Sequence, residues 1–242
     1  MKKTNSLTVA TFVFLISILP LNPVSAEQVA RIFVGPAWTQ NQDVKHDFTG
    51  FGTFDIKGID FATGPAVGWG LGHWFGSFPY LGLGLDVHFF KFNSNKQSAD
   101  ICFGGACAQF LEGSQHYRAT AIAFPVMGRF PLSVSKEYPN GRTQPYVLVG
   151  PTIFAATYTD PGHHFGPENR KANDTSAGVT AGAGLSFMLT PKIDLFAEYR
   201  FTHFSPEFKV TDTFGDPAKV KLNANTHRLL FGLSFHFCLF SC

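Results

Sequence analysis

The chain has 242 residues, with 19 Lys or Arg against 17 Asp or Glu and a formal net charge of +2. That near-neutral balance gives no basis for a nucleic-acid surface. Only 15% of the residues are charged, whereas 28 are Phe and 24 are Gly, a composition less suited to a soluble domain than to a surface whose solvent is lipid.

Residues 1–26 read as a cleaved secretory signal. Lys2 and Lys3 form a basic start, Thr8 to Leu19 an apolar core, and Val24-Ser25-Ala26 a small-residue site that places cleavage before Glu27. No second long apolar run follows, so residues 27–242 contain no transmembrane helix candidate and are taken as one domain. Alternation of apolar and small or polar residues then predicts eight strands: Val29 to Gln40, Phe61 to Phe75, Tyr80 to Phe92, Gln115 to Phe130, Thr143 to Tyr158, Thr175 to Leu189, Ile193 to Phe204, and Asn225 to Phe237. The last has Leu229, Phe231, Leu233, Phe235 and Phe237 on one parity.

The predicted connections alternate in length. Asn41 to Gly58, Asn93 to Gly113, Asp160 to Asp174 and Ser205 to Ala224 are long and polar. Gly76 to Pro79, the stretch around Pro139-Asn140-Gly141, and Thr190-Pro191-Lys192 are tight turns. An exported chain with this rhythm is expected to be an all-β, eight-stranded antiparallel transmembrane β-barrel of the bacterial outer membrane. Its long loops would be extracellular, its short turns and both termini periplasmic.

Parity assigns the interior. Gly64, Ala66, Gly68, Gly70 and Gly72, and Gly178, Thr180, Gly182, Gly184 and Ser186, fall on the inward face, leaving room for large side chains from neighbouring strands. The same reasoning predicts a lumen charge network of Asp86, His88, Arg118, Glu198, Arg200 and Arg228, with Asp194, His116 and His236 also inward. For Arg118 the reading takes Ala119, Ala121 and Ala123 as lipid-facing. Such a network is expected to plug a barrel this narrow; a gate or proton-linked pore is the alternative. Trp38, Trp74 and Tyr199 are candidates for aromatic belts.

The four cysteines form two close pairs, Cys102 with Cys107 and Cys238 with Cys242. In an oxidising compartment two local disulfides are expected, with the pairs at opposite ends of the barrel. Their spacing is not that of a metal site, so no metal and no cofactor is expected.

Asp194-Leu195-Phe196-Ala197-Glu198-Tyr199-Arg200-Phe201-Thr202 and Thr226-His227-Arg228-Leu229-Leu230-Phe231-Gly232-Leu233-Ser234-Phe235 resemble the last two strands of the outer-membrane β-barrel domain family that includes opacity-type and small porin-like proteins. The chain departs from that pattern by continuing past Phe237. The resemblance implies adhesion, immune exposure or a structural role, not one activity. It implies as partners outer-membrane lipid and lipopolysaccharide, the barrel assembly machinery, and a host or surface ligand at the loops. His203-Phe204-Ser205, followed by Glu207, also looks like the His-x-Ser of outer-membrane lipid A deacylases, although Pro206 follows at once and no Asn does. The expectation is a non-enzymatic surface or structural protein. A narrow channel for small or apolar solutes and a lipid A-modifying enzyme are the alternatives.

Overall fold

A computed structural model of the chain describes residues 26–48, 50, 52–160, 171–211 and 216–237. The signal segment, Cys238 and Cys242 lie outside the described residues.

Two antiparallel sheets are built. The first contains β1 (Glu27–Thr39), β4 (Gly64–Trp74), β5 (Leu81–Lys91), β8 (His116–Ala123), β9 (Val126–Arg129), β10 (Thr143–Thr159), β11 (Lys171–Thr190), β12 (Ile193–Phe204) and β15 (Ala224–Phe237). Each strand pairs with the next around the ring. β10 pairs with β11, and β15 returns to β1 through Gln28↔Phe237, so the sheet closes on itself. β8 and β9 keep one register on β5 and on β10 and are interrupted only at Phe124-Pro125, where proline offers no N–H to the ladder. Counted as one stave, they make an eight-stranded barrel.

The outer face is set by the alternating apolar columns. Ile32 and Val34 on β1, Trp69 and Leu71 on β4, Leu83 and Phe89 on β5, Val147 and Val149 on β10, and Phe231 and Phe235 on β15 are all exposed. This band is where lipid replaces water. Inside, glycine makes room as expected. A Cβ on Gly70 would collide with the Asp86 carboxylate, and one on Gly184 would lie 2.6 Å from the Tyr146 hydroxyl.

The long connections differ from the expected polar loops. Six further strands, β2 (Gln42–Phe48), β3 (Gly52–Ile59), β6 (Gln97–Phe103), β7 (Ala106–Glu112), β13 (Glu207–Thr211) and β14 (Pro217–Leu222), form a second sheet in the order β13-β14-β2-β3-β6-β7. It stands on the rim opposite the tight turns, which makes it extracellular. One face is apolar, with Val44, Ile56, Phe208, Val220 and Leu222 buried. The other carries a ladder of ion pairs, among them Lys57–Asp43 at 2.8 Å and Lys219–Glu207 at 2.9 Å. The β6–β7 hairpin turns on Gly104 and Gly105, both at positive φ (58° and 88°), which glycine adopts without Cβ strain.

Two sequence expectations are corrected here. In β8 the inward residues are Tyr117, Ala119, Ala121 and Ala123, all buried, so Arg118 and His116 point outward and are exposed. The stretch Arg-Ala-Thr-Ala-Ile-Ala has little contrast between its two parities, so alternation alone does not say which side faces lipid. Trp74 is not a belt residue: it is buried inside, beneath the Arg129 guanidinium at 4.4 Å.

Candidate functional site

The lumen is filled in layers. At the periplasmic end, Glu27 of β1 accepts from Arg129 of β9 at 2.7 Å and from Asn140 at 2.9 Å. His236 of β15 bridges the Glu27 and Asp194 carboxylates through its two ring nitrogens. Arg129 Nε also donates to the Pro79 carbonyl at 2.7 Å. The first and last strands are thereby tied to β9, β12 and a turn.

Above this lies the densest layer. Glu198 accepts from Arg31 Nη2 at 2.8 Å, from the Tyr146 hydroxyl at 2.9 Å and from Arg200 Nε at 2.5 Å. Arg200 reaches Asp86 at 2.9 Å and donates to His88 Nδ1 at 3.0 Å. A guanidinium has no lone pair to offer, so this His88 nitrogen is the acceptor. Glu198, Arg200 and His88 are essentially inaccessible. Arg228 stands directly opposite Arg200 in the β12–β15 register, bonds the Thr202 hydroxyl and lies 4.7 Å over the Phe90 ring. No carboxylate pairs with it among the described residues.

A layer of stacked rings lies toward the extracellular end of the lumen. Phe154 stacks on Phe204 at 4.2 Å, Phe92 on Tyr117 at 5.1 Å, and Tyr158 on Phe208 at 5.5 Å. Beyond it, on the inner side of the second sheet, is a cleft of about 260 Å³ lined by His46, Phe48, Phe54, Ile56, Ile101, Phe110 and Glu112.

Five of the six residues predicted for the lumen are therefore inside and adjoining: Asp86, His88, Glu198, Arg200 and Arg228. Arg118 is on the outer wall. The reading missed Arg31, Glu27, Arg129 and Tyr146. Arg31 was legible, since Ile32, Val34 and Trp38 occupy the opposite parity of its strand. Cys102 and Cys107 are disulfide-bonded across the β6–β7 hairpin. His203 and Ser205 do not meet as a catalytic pair needs: His203 Nδ1 bonds Asn225 Oδ1 at 2.6 Å, and Ser205 donates to Asn223 Oδ1 at 2.7 Å. Among the described residues no group of three His, Cys, Asp or Glu is placed to hold a metal ion.

In the extracellular sheet the charged pairs hold both partners in their ionised forms. The Lys57 ammonium and the Gly58 amide lower the Asp43 carboxyl, and the Lys219 ammonium lowers that of Glu207.

A closed eight-stranded barrel with a lipid-compatible wall and polar lumen defines an integral protein of the bacterial outer membrane. The chain belongs to the outer membrane protein beta-barrel domain family, whose model matches residues 11–237. Among solved structures it is similar to the outer membrane protein OprG from Pseudomonas aeruginosa, at 14% identity and a TM-score of 0.57, covering 88% of this chain and 96% of that one. It is also similar to Neisserial surface protein A (15%, TM-score 0.46, 88% and 99% covered). The outer membrane protease OmpT from Escherichia coli is a third (10%, TM-score 0.46, 87% and 97% covered). The first of these supports the fold. No curated protein sequence matches the chain significantly.

Proposed function

We propose that this protein is a sealed outer-membrane scaffold that presents its extracellular sheet for surface contact, in envelope organisation or with a host or surface ligand, and that it is not an enzyme. The observation that carries this reading is the contrast between the two halves. The lumen is packed through with ion pairs and stacked rings, while the strands continue outward into a built sheet with a charged face. A side-chain plug of this kind suits a structural barrel. The signal segment is taken to be cleaved before Glu27, and the assembly machinery to receive the closing strand ending at Phe237.

The test is replacement of residues 97–112 by a short turn, followed by whole-cell binding and envelope-permeability assays. Loss of either with an intact barrel supports the reading; no change in both contradicts it.

A second reading, a narrow path for small or apolar solutes, is favoured by the cleft beside Phe48, Phe54 and Phe110. Steady conductance in planar bilayers would favour it over the sealed scaffold. Loss of an acyl chain from purified lipopolysaccharide would establish the deacylase alternative against the separate hydrogen bonds of His203 and Ser205.

A further inference from the structure

The corrected position of Arg118 exposes a feature of the outer wall. On β5 the outward column reads Leu83, Leu85, Val87, Phe89 and then Lys91. On β8 it ends in Arg118 and His116, on β10 in Thr157 and Thr159, and on β11 in Asn173 and Lys171. Strand register aligns these ends in two rows. Lys91 is opposite Arg118, Arg118 opposite Thr157, and Thr157 opposite Asn173; one step further out, His116 is opposite Thr159 and Thr159 opposite Lys171. The Thr157 hydroxyl donates to Asn173 at 2.8 Å.

Lys91, Arg118, His116 and Lys171 are exposed, and none has a carboxylate partner among the described residues. No acidic residue has outward parity on β5, β8, β9, β10 or β11. Two like charges directly opposite on neighbouring strands repel, and among the described residues no ion pair offsets the repulsion between Lys91 and Arg118. On the outward face of β1, β15 and β12, Trp38 is opposite His227 and His227 opposite Phe201, with Trp38 and His227 stacked at 5.8 Å.

We propose that this basic sector binds the phosphate groups of lipopolysaccharide in the outer leaflet. The site continues the lipid-facing columns without a break, so its ligand carries acyl chains alongside Leu85, Val87 and Phe89 and an anionic head at Lys91, Arg118 and Lys171. The four strands span roughly 15 Å, wide enough for a phosphorylated sugar rather than one ion. Arg supplies a fork of donors, and Lys and the hydroxyls supply further contacts. The inference rests on the outer-membrane placement that the family establishes.

The test titrates the refolded mature protein, in nonionic detergent, with lipopolysaccharide, with the same lipid after removal of its phosphates, and with inorganic phosphate. The combined variant Lys91→Gln/Arg118→Gln/Lys171→Gln should bind the intact lipid between roughly tenfold and a hundredfold more weakly than the wild type. Dephosphorylated lipid should bind both proteins equally weakly, and millimolar inorganic phosphate should not compete. A control, Lys45→Gln/Lys57→Gln/Lys219→Gln, should bind like the wild type. Heat-modifiable migration of every variant separates loss of the site from loss of the barrel. Wild-type affinity in the first variant, equal affinity for dephosphorylated lipid, an equal loss in the control, or competition by inorganic phosphate would each overturn the proposal.

Discussion

Glu198 accepts from Arg31 of β1, Tyr146 of β10 and Arg200 of its own strand, and two of these donors are buried guanidinium groups. Glu198→Ala leaves buried cationic charge uncompensated and should cost about 3–5 kcal/mol of folding stability. Tyr199→Ala, next along the strand but facing lipid, should cost clearly less. Arg228 makes the informative contrast. It faces Arg200 across the ladder, bonds the Thr202 hydroxyl, lies over the Phe90 ring and has no ion-paired carboxylate among the described residues. Arg228→Met should therefore change stability by no more than about 1 kcal/mol, because replacing an unpaired buried charge by an apolar side chain of similar length removes a repulsion. Urea titration of folding in lipid vesicles ranks the three, and an order with Glu198→Ala mildest contradicts the layer described.

At the scale of elements, the staves were readable because each has one side set by lipid. Strong contrast placed β12 and β15 to within a residue. It failed where contrast vanishes, at the alanine-rich β8. The second sheet was also encoded: Val44, His46 and Phe48 alternate with Lys45 and Asp47, and Ala218, Val220 and Leu222 with Lys219 and Lys221. Short, charge-rich runs of this kind read as loops, since both water and a facing strand accept their polar parity. That sheet has its own predicted behaviour. The Asp43 and Glu207 carboxyls lie below their ordinary values of 3.8 and 4.5. Their contribution is present above those values and is lost as pH falls through the depressed ones. Amide exchange in β2, β3, β13 and β14 should quicken on acidification below about pH 4, while barrel amides do not; both groups are exposed, so the effect is small. Breaking the Cys102–Cys107 bond with Cys102→Ala/Cys107→Ala should free the β6–β7 hairpin by about 2 kcal/mol, seen as faster local exchange with an unchanged barrel midpoint.

At the scale of the whole molecule, an ion-paired layer at the periplasmic end, the Glu198 layer above it and a layer of stacked rings lie in series beneath the second sheet. The sequence carried the direction of this arrangement in its alternating connection lengths. It did not carry which charged side chains meet, because register and side-chain reach decide that: Arg31 of β1 and Glu198 of β12 are joined past β15 from strands far apart in the chain. The most direct test of the account is single-thiol labelling of intact cells with a membrane-impermeant maleimide, with the native cysteines replaced by Ser. Thr53→Cys and Lys57→Cys, on the outward sheet, should label at once. Ser77→Cys and Lys192→Cys, in the tight turns, should label only after the outer membrane is permeabilised. Labelling of the turn sites in intact cells, with the sheet sites protected, would contradict it.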